Sequence, residues 1–416
     1  MTAGQPQWSP GFDPKLPLLP LAFDFASVEE LFARRYRAEE EGRAPSVRVK
    51  ALQDVKYQPG RRCVATYELE AGDAAQTSRT LGVLSILRTE AEVLLPQDDP
   101  ELDRLGEALD PQAMHHRFQA IPGLERAAAP PRIEALRYKP RLRCSLRYEL
   151  DTGDSTRIIF GKMLARDGAQ TMSVLTRLHE LSSENNAIPR IAPPLAYWPD
   201  LRLLLQEAVT GGAEFHAVVF DKEHSLEERY RWMCIAGERL AGLHSGAGPK
   251  GPSRTLRDDI DELRGYAAAV GAADPELAAA YEAQLGRLVR EDGGDADLVP
   301  SHGAFRTDQF MVQGSELVMI DLDGFCWSEP ARDVGNLFAY LGWRALRQPH
   351  QAAFVTPARD HFLRGYASVR RPPDEDRLAL FEAASRLKIA GRRYRSLSHR
   401  EWPLVPELVD SAGALL

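Results

Sequence analysis

The chain has 416 residues, 44% hydrophobic and 27% charged, enough for two or three domains with sizeable cores. Its 52 Lys and Arg against 60 Asp and Glu leave a net charge of −8, which argues against general nucleic-acid binding, since that affinity comes mainly from cations at phosphates. No run approaches the roughly 20 apolar residues of a membrane helix, and Cys63, Cys144, Cys234 and Cys326, widely spaced and without a CxxC, support neither a zinc site nor a disulfide framework.

The start, MTAGQPQWSPGFDPKLP, lacks the basic-then-apolar form of a signal peptide, so a cytoplasmic location is expected. Tyr57 to Asp73 then aligns without gaps on Tyr138 to Asp154 at an offset of 81, with nine of seventeen positions identical. Such identity implies an internal duplication of a β-hairpin. If Gly82 and Gly161 of the following β-rich stretches are superimposed, Val83 stands where the second copy has Lys162. Two assignments stay open: a first copy turned scaffold or cap, or strands added to one enlarged sheet.

Leu136 to Leu150 alternates as two strands around a Pro-Arg-Leu-Arg turn, and Arg157 to Leu164 reads as the next strand. Lys162 lies inside that apolar strand, where an ammonium is costly unless something anionic meets it. The turn lacks glycine; Arg141 and Arg143 either reach an anion with their side chains or are solvated turn residues. Glu180 follows on a helical segment from Thr171 to Leu181. Arg202 to Gly212 reads as a buried strand entering a glycine-marked hinge, the second arm of a hairpin turned at Pro199-Asp200. A helix from about Leu226 ends in Leu240-Ala241-Gly242-Leu243-His244, and a Pro/Gly-rich linker, Ser245 to Ser253, precedes Asp258, Asp259, Asp261 and Glu262. These acids read as a solvated helix face.

The densest segment is 301–341. His302-Gly303 opens a loop, Gln309 closes it, and an apolar hairpin (Phe310 to Val312, Leu317 to Ile320) leads into Asp321-Leu322-Asp323-Gly324, then Glu329-Pro330 and Asp333. From Asp360 to Arg395 the apolar spacing is helical, and Arg392, Arg393 and Arg395 give it a basic outer face.

This layout resembles the aminoglycoside phosphotransferase and choline kinase family, whose loop reads HGDxxxxN and whose metal segment reads IDxE/D before a GDPxxDLA-like run. The resemblance runs from about residue 131 to 345, with LAGLH as a further mark. It implies an α+β, two-lobe protein-kinase-like fold with an extra N-terminal subdomain, divided as 1–130 (the degenerate hairpin copy), 131–210 (nucleotide-binding lobe) and 211–416 (mainly helical lobe with catalytic and metal loops). It implies ATP or GTP and Mg²⁺ as cofactors and a small-molecule acceptor, with no nucleic acid or membrane as partner. By resemblance Lys162 pairs with phosphates and Glu180 with Lys162, while Glu207 to Val209 take the nucleobase. Asp321 and Gln309 hold the metal, Asp323 is a second acidic position, and Asp333 tethers the loop. The insert after the LAGLH helix lines the acceptor pocket.

Two positions depart from the family pattern: Gln309 replaces the asparagine, still offering an amide oxygen, and Ala304 replaces the catalytic aspartate. In phosphoryl transfer the protein mainly positions groups and neutralises charge, and losing a positioned base forfeits roughly 10²- to 10⁴-fold in rate. Asp308 and Asp323 are the carboxylates that could orient an acceptor instead, and His302 either braces the loop or works as acid or base. Two functions follow: a small-molecule phosphotransferase with a rearranged base, or a pseudokinase that binds without transfer.

Overall fold

The computed structural model describes residues 13–39, 46–72, 77–125, 127, 129–153, 155–291 and 297–416. Asp73 and Asp154, the last pair of the repeat, lie outside them. The chain divides into two compact units: one runs to residue 172 and takes in 194–208 and 395–397, and the other comprises 173–193, 209–394 and 398–416.

The first unit is built on two antiparallel sheets. Ser46–Gln58, Arg62–Gly72, Thr77–Leu87 and Glu90–Leu94 form one in sequential order. Arg132–Lys139, Arg143–Asp151, Thr156–Leu164, Leu203–Glu207 and Pro194–Trp198 form the other, in that spatial order. Strict alternation in Arg143–Asp151 buries Cys144, Leu146, Tyr148 and Leu150 on one face, as the period-2 geometry of a strand requires. The first copy of the repeat is therefore a sheet of its own, not an extension of the second. The two share a core in which Leu81 and Val83 join Tyr138, Leu146 and Tyr148.

The duplication reaches further upstream than the hairpin. Asp13 to Phe32 and Asp99 to Phe118 match at seven of twenty positions with an offset of 86. The Asp13 carboxylate accepts from Tyr57 Oη and the Gly60 N–H; Asp99 accepts from Tyr138 Oη and the Arg141 N–H. Tyr67 donates to the Ala22 carbonyl and packs edge-on against Phe32, as Tyr148 does with Ala108 and Phe118. Each copy also begins its helix at an aspartate, Asp24 or Asp110, accepting from helix N–H groups, the usual work of an N-cap.

Pairing register corrects one expectation. Lys162 lies opposite Ser145, and its first-copy counterpart Val64 lies opposite Ser85. Ser85, not Val83, takes the place of the lysine: the conserved register comes from the hairpin, and the two glycines are not equivalent.

The second unit is mainly helical. Leu226–Ser245 packs on Ala352–Ala367 so closely that a Cβ on Gly237 would stand 2.0 Å from the Phe362 carbonyl oxygen, and one on Gly365 1.9 Å from that of Cys234. A second apolar cluster joins Leu256–Ala273, Pro275–Arg290, Glu375–Arg395 and Val405–Gly413. The stretch expected to be helical from Asp360 to Arg395 breaks between Ala367 and Glu375, where Pro372 and Pro373 cannot donate to a helix.

Two surface readings are corrected here. Asp259 is buried against Arg332, and Glu262 accepts from Lys388, Arg392, Arg254 and Tyr266. Arg393 likewise is bound to Glu401. Asp259, Glu262, Arg392 and Arg393 neutralise charges within the unit, whereas Asp258 and Asp261 are exposed as expected.

Candidate active site

The loop after Val299–Ser301 is held from behind by the first turns of the helix Pro330–Arg347. Asp333, fully buried, accepts from the N–H groups of His302 (2.7 Å), Gly303 (2.9 Å) and Phe305 (3.5 Å). Arg332 donates to the Gly303 carbonyl while its guanidinium pairs with Asp259, and Asn336 donates to the Phe305 carbonyl. Positions 332, 333 and 336 thus clamp one tight backbone turn. Gly303 must be glycine: its φ is 79°, and a Cβ there would stand 1.8 Å from the Gly324 carbonyl oxygen. That contact joins the loop to the acidic segment.

His244, last of the LAGLH run, reaches the same network, bridging Asp333 (3.4 Å) and the Tyr366 hydroxyl (2.8 Å). With Asp333 ionised, its Nε2 donates to the carboxylate and its Nδ1 accepts from the tyrosine. Burial works to raise the Asp333 carboxyl, but the His244 hydrogen bond and the Arg332 guanidinium outweigh it and hold it below the ordinary carboxylate range. Burial pushes His244 and His302 down, so both are neutral at pH 7. His302 Nδ1 accepts from the Ala304 N–H and its Nε2 faces the Ile320 carbonyl at 3.4 Å. Both ring nitrogens are therefore engaged, Nδ1 within the loop and Nε2 toward the residue before Asp321.

Ala304 presents only a methyl group. Gln309 is buried, its Nε2 donating to Asp308, so its amide oxygen is the atom on offer to a ligand. Asp308 is exposed and also pairs with Arg306. The hairpin Phe310–Gln313 and Glu316–Met319 ends at Ile320, and Asp321 follows in the left-handed region, φ 57° and ψ 61°. Asp321 and Asp323 are exposed on either side of the buried Leu322. Among the described residues no three His, Cys, Asp or Glu side chains are gathered as a metal site.

In the first unit Lys162 is half-buried, in a cross-strand row with Ser145 and Leu204. Arg141 has a left-handed backbone, φ 58°, and Arg143 begins the next strand. Glu207 pairs with Arg157, and the Ala208 N–H donates to the Ile158 carbonyl. In the second unit Glu180 is exposed and pairs with Arg177 one turn earlier on its own helix. Val209 is the first residue of that unit after the hinge. The residues that sequence reasoning missed are Arg332, Asn336, Asp259 and Tyr366. Helical spacing from Asp333 was the available signal for Asn336; nothing local pointed to Asp259.

A model of the phosphotransferase enzyme family matches residues 147–381, more than half of the chain. The chain belongs to this family. No curated protein sequence matches it, but solved structures share its fold. The amicoumacin kinase hAmiN, in complex with AMP-PNP, Ca²⁺ and Ami, is 14% identical with a TM-score of 0.53, covering 75% of this chain and 96% of that one. Choline kinase from Cryptosporidium parvum Iowa II is 14% identical with a TM-score of 0.52, covering 74% and 96%. The fold of this family member is thus the two-lobe kinase-like one.

Proposed function

We propose that this family member transfers the γ-phosphate of ATP or GTP to a hydroxyl of a small-molecule acceptor, with Mg²⁺. The observation that carries the reading is Asp321: an exposed non-glycine residue held left-handed directly after Ile320, whose carbonyl faces His302. Such backbone conformations persist where the surroundings enforce them, and they cluster at functional sites.

The donor set fits Mg²⁺. Asp321, Asp323 and the Gln309 amide offer hard oxygens, and Mg²⁺ bound with nucleotides takes one or two carboxylates plus phosphates rather than a protein cage. Asp321 and Gln309 would hold the ion and Asp323 would serve ion or acceptor; when bound, the ion neutralises charge on the phosphates. Lys162 and Arg143 pair with phosphates, and Glu207 to Val209 receive the base. Glu180, to serve Lys162, has to leave Arg177, which costs only about 0.2–0.5 kcal/mol for an exposed pair on one helix. Asp308 or Asp323 orients the acceptor in place of the missing base. His302, neutral and engaged at both nitrogens, positions the loop.

Ala304 favours a second reading, a pseudokinase. Its N–H is folded onto His302 and no carboxylate stands at that position. Calorimetric titration of ATP with and without Mg²⁺, on wild type and Asp321→Ala, beside a γ-phosphate release assay, separates the two. Transfer predicts Mg²⁺-dependent binding and turnover, both lost in Asp321→Ala, with turnover rising on Ala304→Asp. Binding without turnover until Ala304→Asp restores it means a pseudokinase. No binding removes the nucleotide from the account.

A further inference from the structure

The two hairpin copies place the same cations at equivalent positions. Lys56 and Arg62 in the first correspond to Arg137 and Arg143 in the second, and the second adds Lys139. Register puts Arg137 opposite Ser145, which in turn pairs with Lys162, while Lys139 lies opposite Arg143. Arg137, Lys139, Arg143 and Lys162 therefore share one face of the second sheet. Lys56 of the first sheet lies within electrostatic range of the same group: repulsion from Arg143 and Arg395 lowers it, as repulsion from Arg143, Arg137 and Lys56 lowers Lys139. Asp54 is the acid that faces both lysines.

Lys56 and Lys139 are each half-buried, and among the described residues neither ammonium has an ion-pair partner. Burial, followed by the neighbouring guanidiniums, pushes Lys139 down to about 8 and lowers Lys56 as well. Crowding cations while desolvating two of them is unfavourable for the fold alone. An anion with several charges attracts each of these cations and so offsets their mutual repulsion.

We infer that Lys56 and Lys139, flanked by Arg62, Arg137, Arg143 and Arg395, form a polyphosphate-binding site to which both copies of the duplicated hairpin contribute. This goes beyond the proposed transfer reaction, because it gives the N-terminal copy a ligand-binding role and does not depend on Asp321. The chemistry it reads is a chain of phosphates, either the nucleotide's own or that of a separate phosphate-bearing ligand.

The test is calorimetric titration of inorganic tripolyphosphate into the full chain in EDTA at low salt. Wild type should bind, weakening steeply as salt is raised. Lys56→Met with Lys139→Met, which keeps the aliphatic stems, should lose about tenfold or more in affinity, whereas Asp54→Asn should bind more tightly. Asp321→Ala should bind as wild type does, so failure of the metal reading leaves this one standing. Displacement of tripolyphosphate by ATP assigns the site to the nucleotide's phosphates; simultaneous binding assigns it to a second ligand. Absence of tripolyphosphate binding in wild type, or equal affinity in the double variant and in Asp54→Asn, overturns the site.

Discussion

Asp333 shows how one buried carboxylate can organise the loop that follows Ser301. It accepts three loop N–H groups and a histidine donor at zero exposure, and removing one partner from a buried charged network costs about 3–5 kcal/mol. Asp333→Asn should lower stability by roughly that amount in urea unfolding; a change below about 1 kcal/mol would show the loop to be held mainly by Arg332 and Asn336. The histidines carry a pH dependence. The folded-state values of His244 and His302 are depressed, so the unfolded chain binds more protons once pH falls below about 6.5. Stability is then full above that pH and declines below it, by up to about 1.4 kcal/mol per pH unit for each histidine. Asp333, also depressed, keeps its contribution above the unfolded carboxylate value of about 3.9 and loses it only under stronger acid. Thermal midpoints at pH 7.5, 6 and 5 should fall in that order, and a flat series would contradict the assignment.

At the scale of elements, the LAGLH helix end does two jobs with residues two positions apart. Gly242 lets the Ala187 carbonyl come within 2.0 Å of where a Cβ would be, and His244 reaches Asp333. The same helix meets Gly365 backbone to backbone, so Gly365→Ala forces the helices apart and should cost at least the 1–3 kcal/mol of ordinary overpacking. Circular dichroism melting of that variant measures it. Gly303 against Gly324 is the loop's version of this contact.

For the whole molecule, the duplicated hairpin explains why the first unit carries two sheets. Leu81 and Val83 of the first copy lie in the core of the second, so the N-terminal copy supports the sheet that bears Lys162. Leu81→Ala should cost about 2–5 kcal/mol and reduce hydrogen-exchange protection of Thr156–Leu164. Protection changing only in the first sheet would mean that the two cores are independent.

The sequence by itself determined the strands around residues 132–164, the hairpin before Asp321, the LAGLH helix and the family, because alternation, turn residues and fixed motif spacing are local properties of the chain. It also exposed the hairpin repeat, whose copies align without a gap, but not the upstream half, where a five-residue change of offset separates Asp13 and Asp99 from the tyrosines they hold. Tertiary structure alone decided that Ser85 is the counterpart of Lys162, since register is a relation between strands. It alone decided that Asp259 and Glu262 are internal, since their cationic partners include Arg332 and Lys388, 73 and 126 residues away. Burial of a charge depends on the groups that folding brings to it, and no pattern along the chain records them.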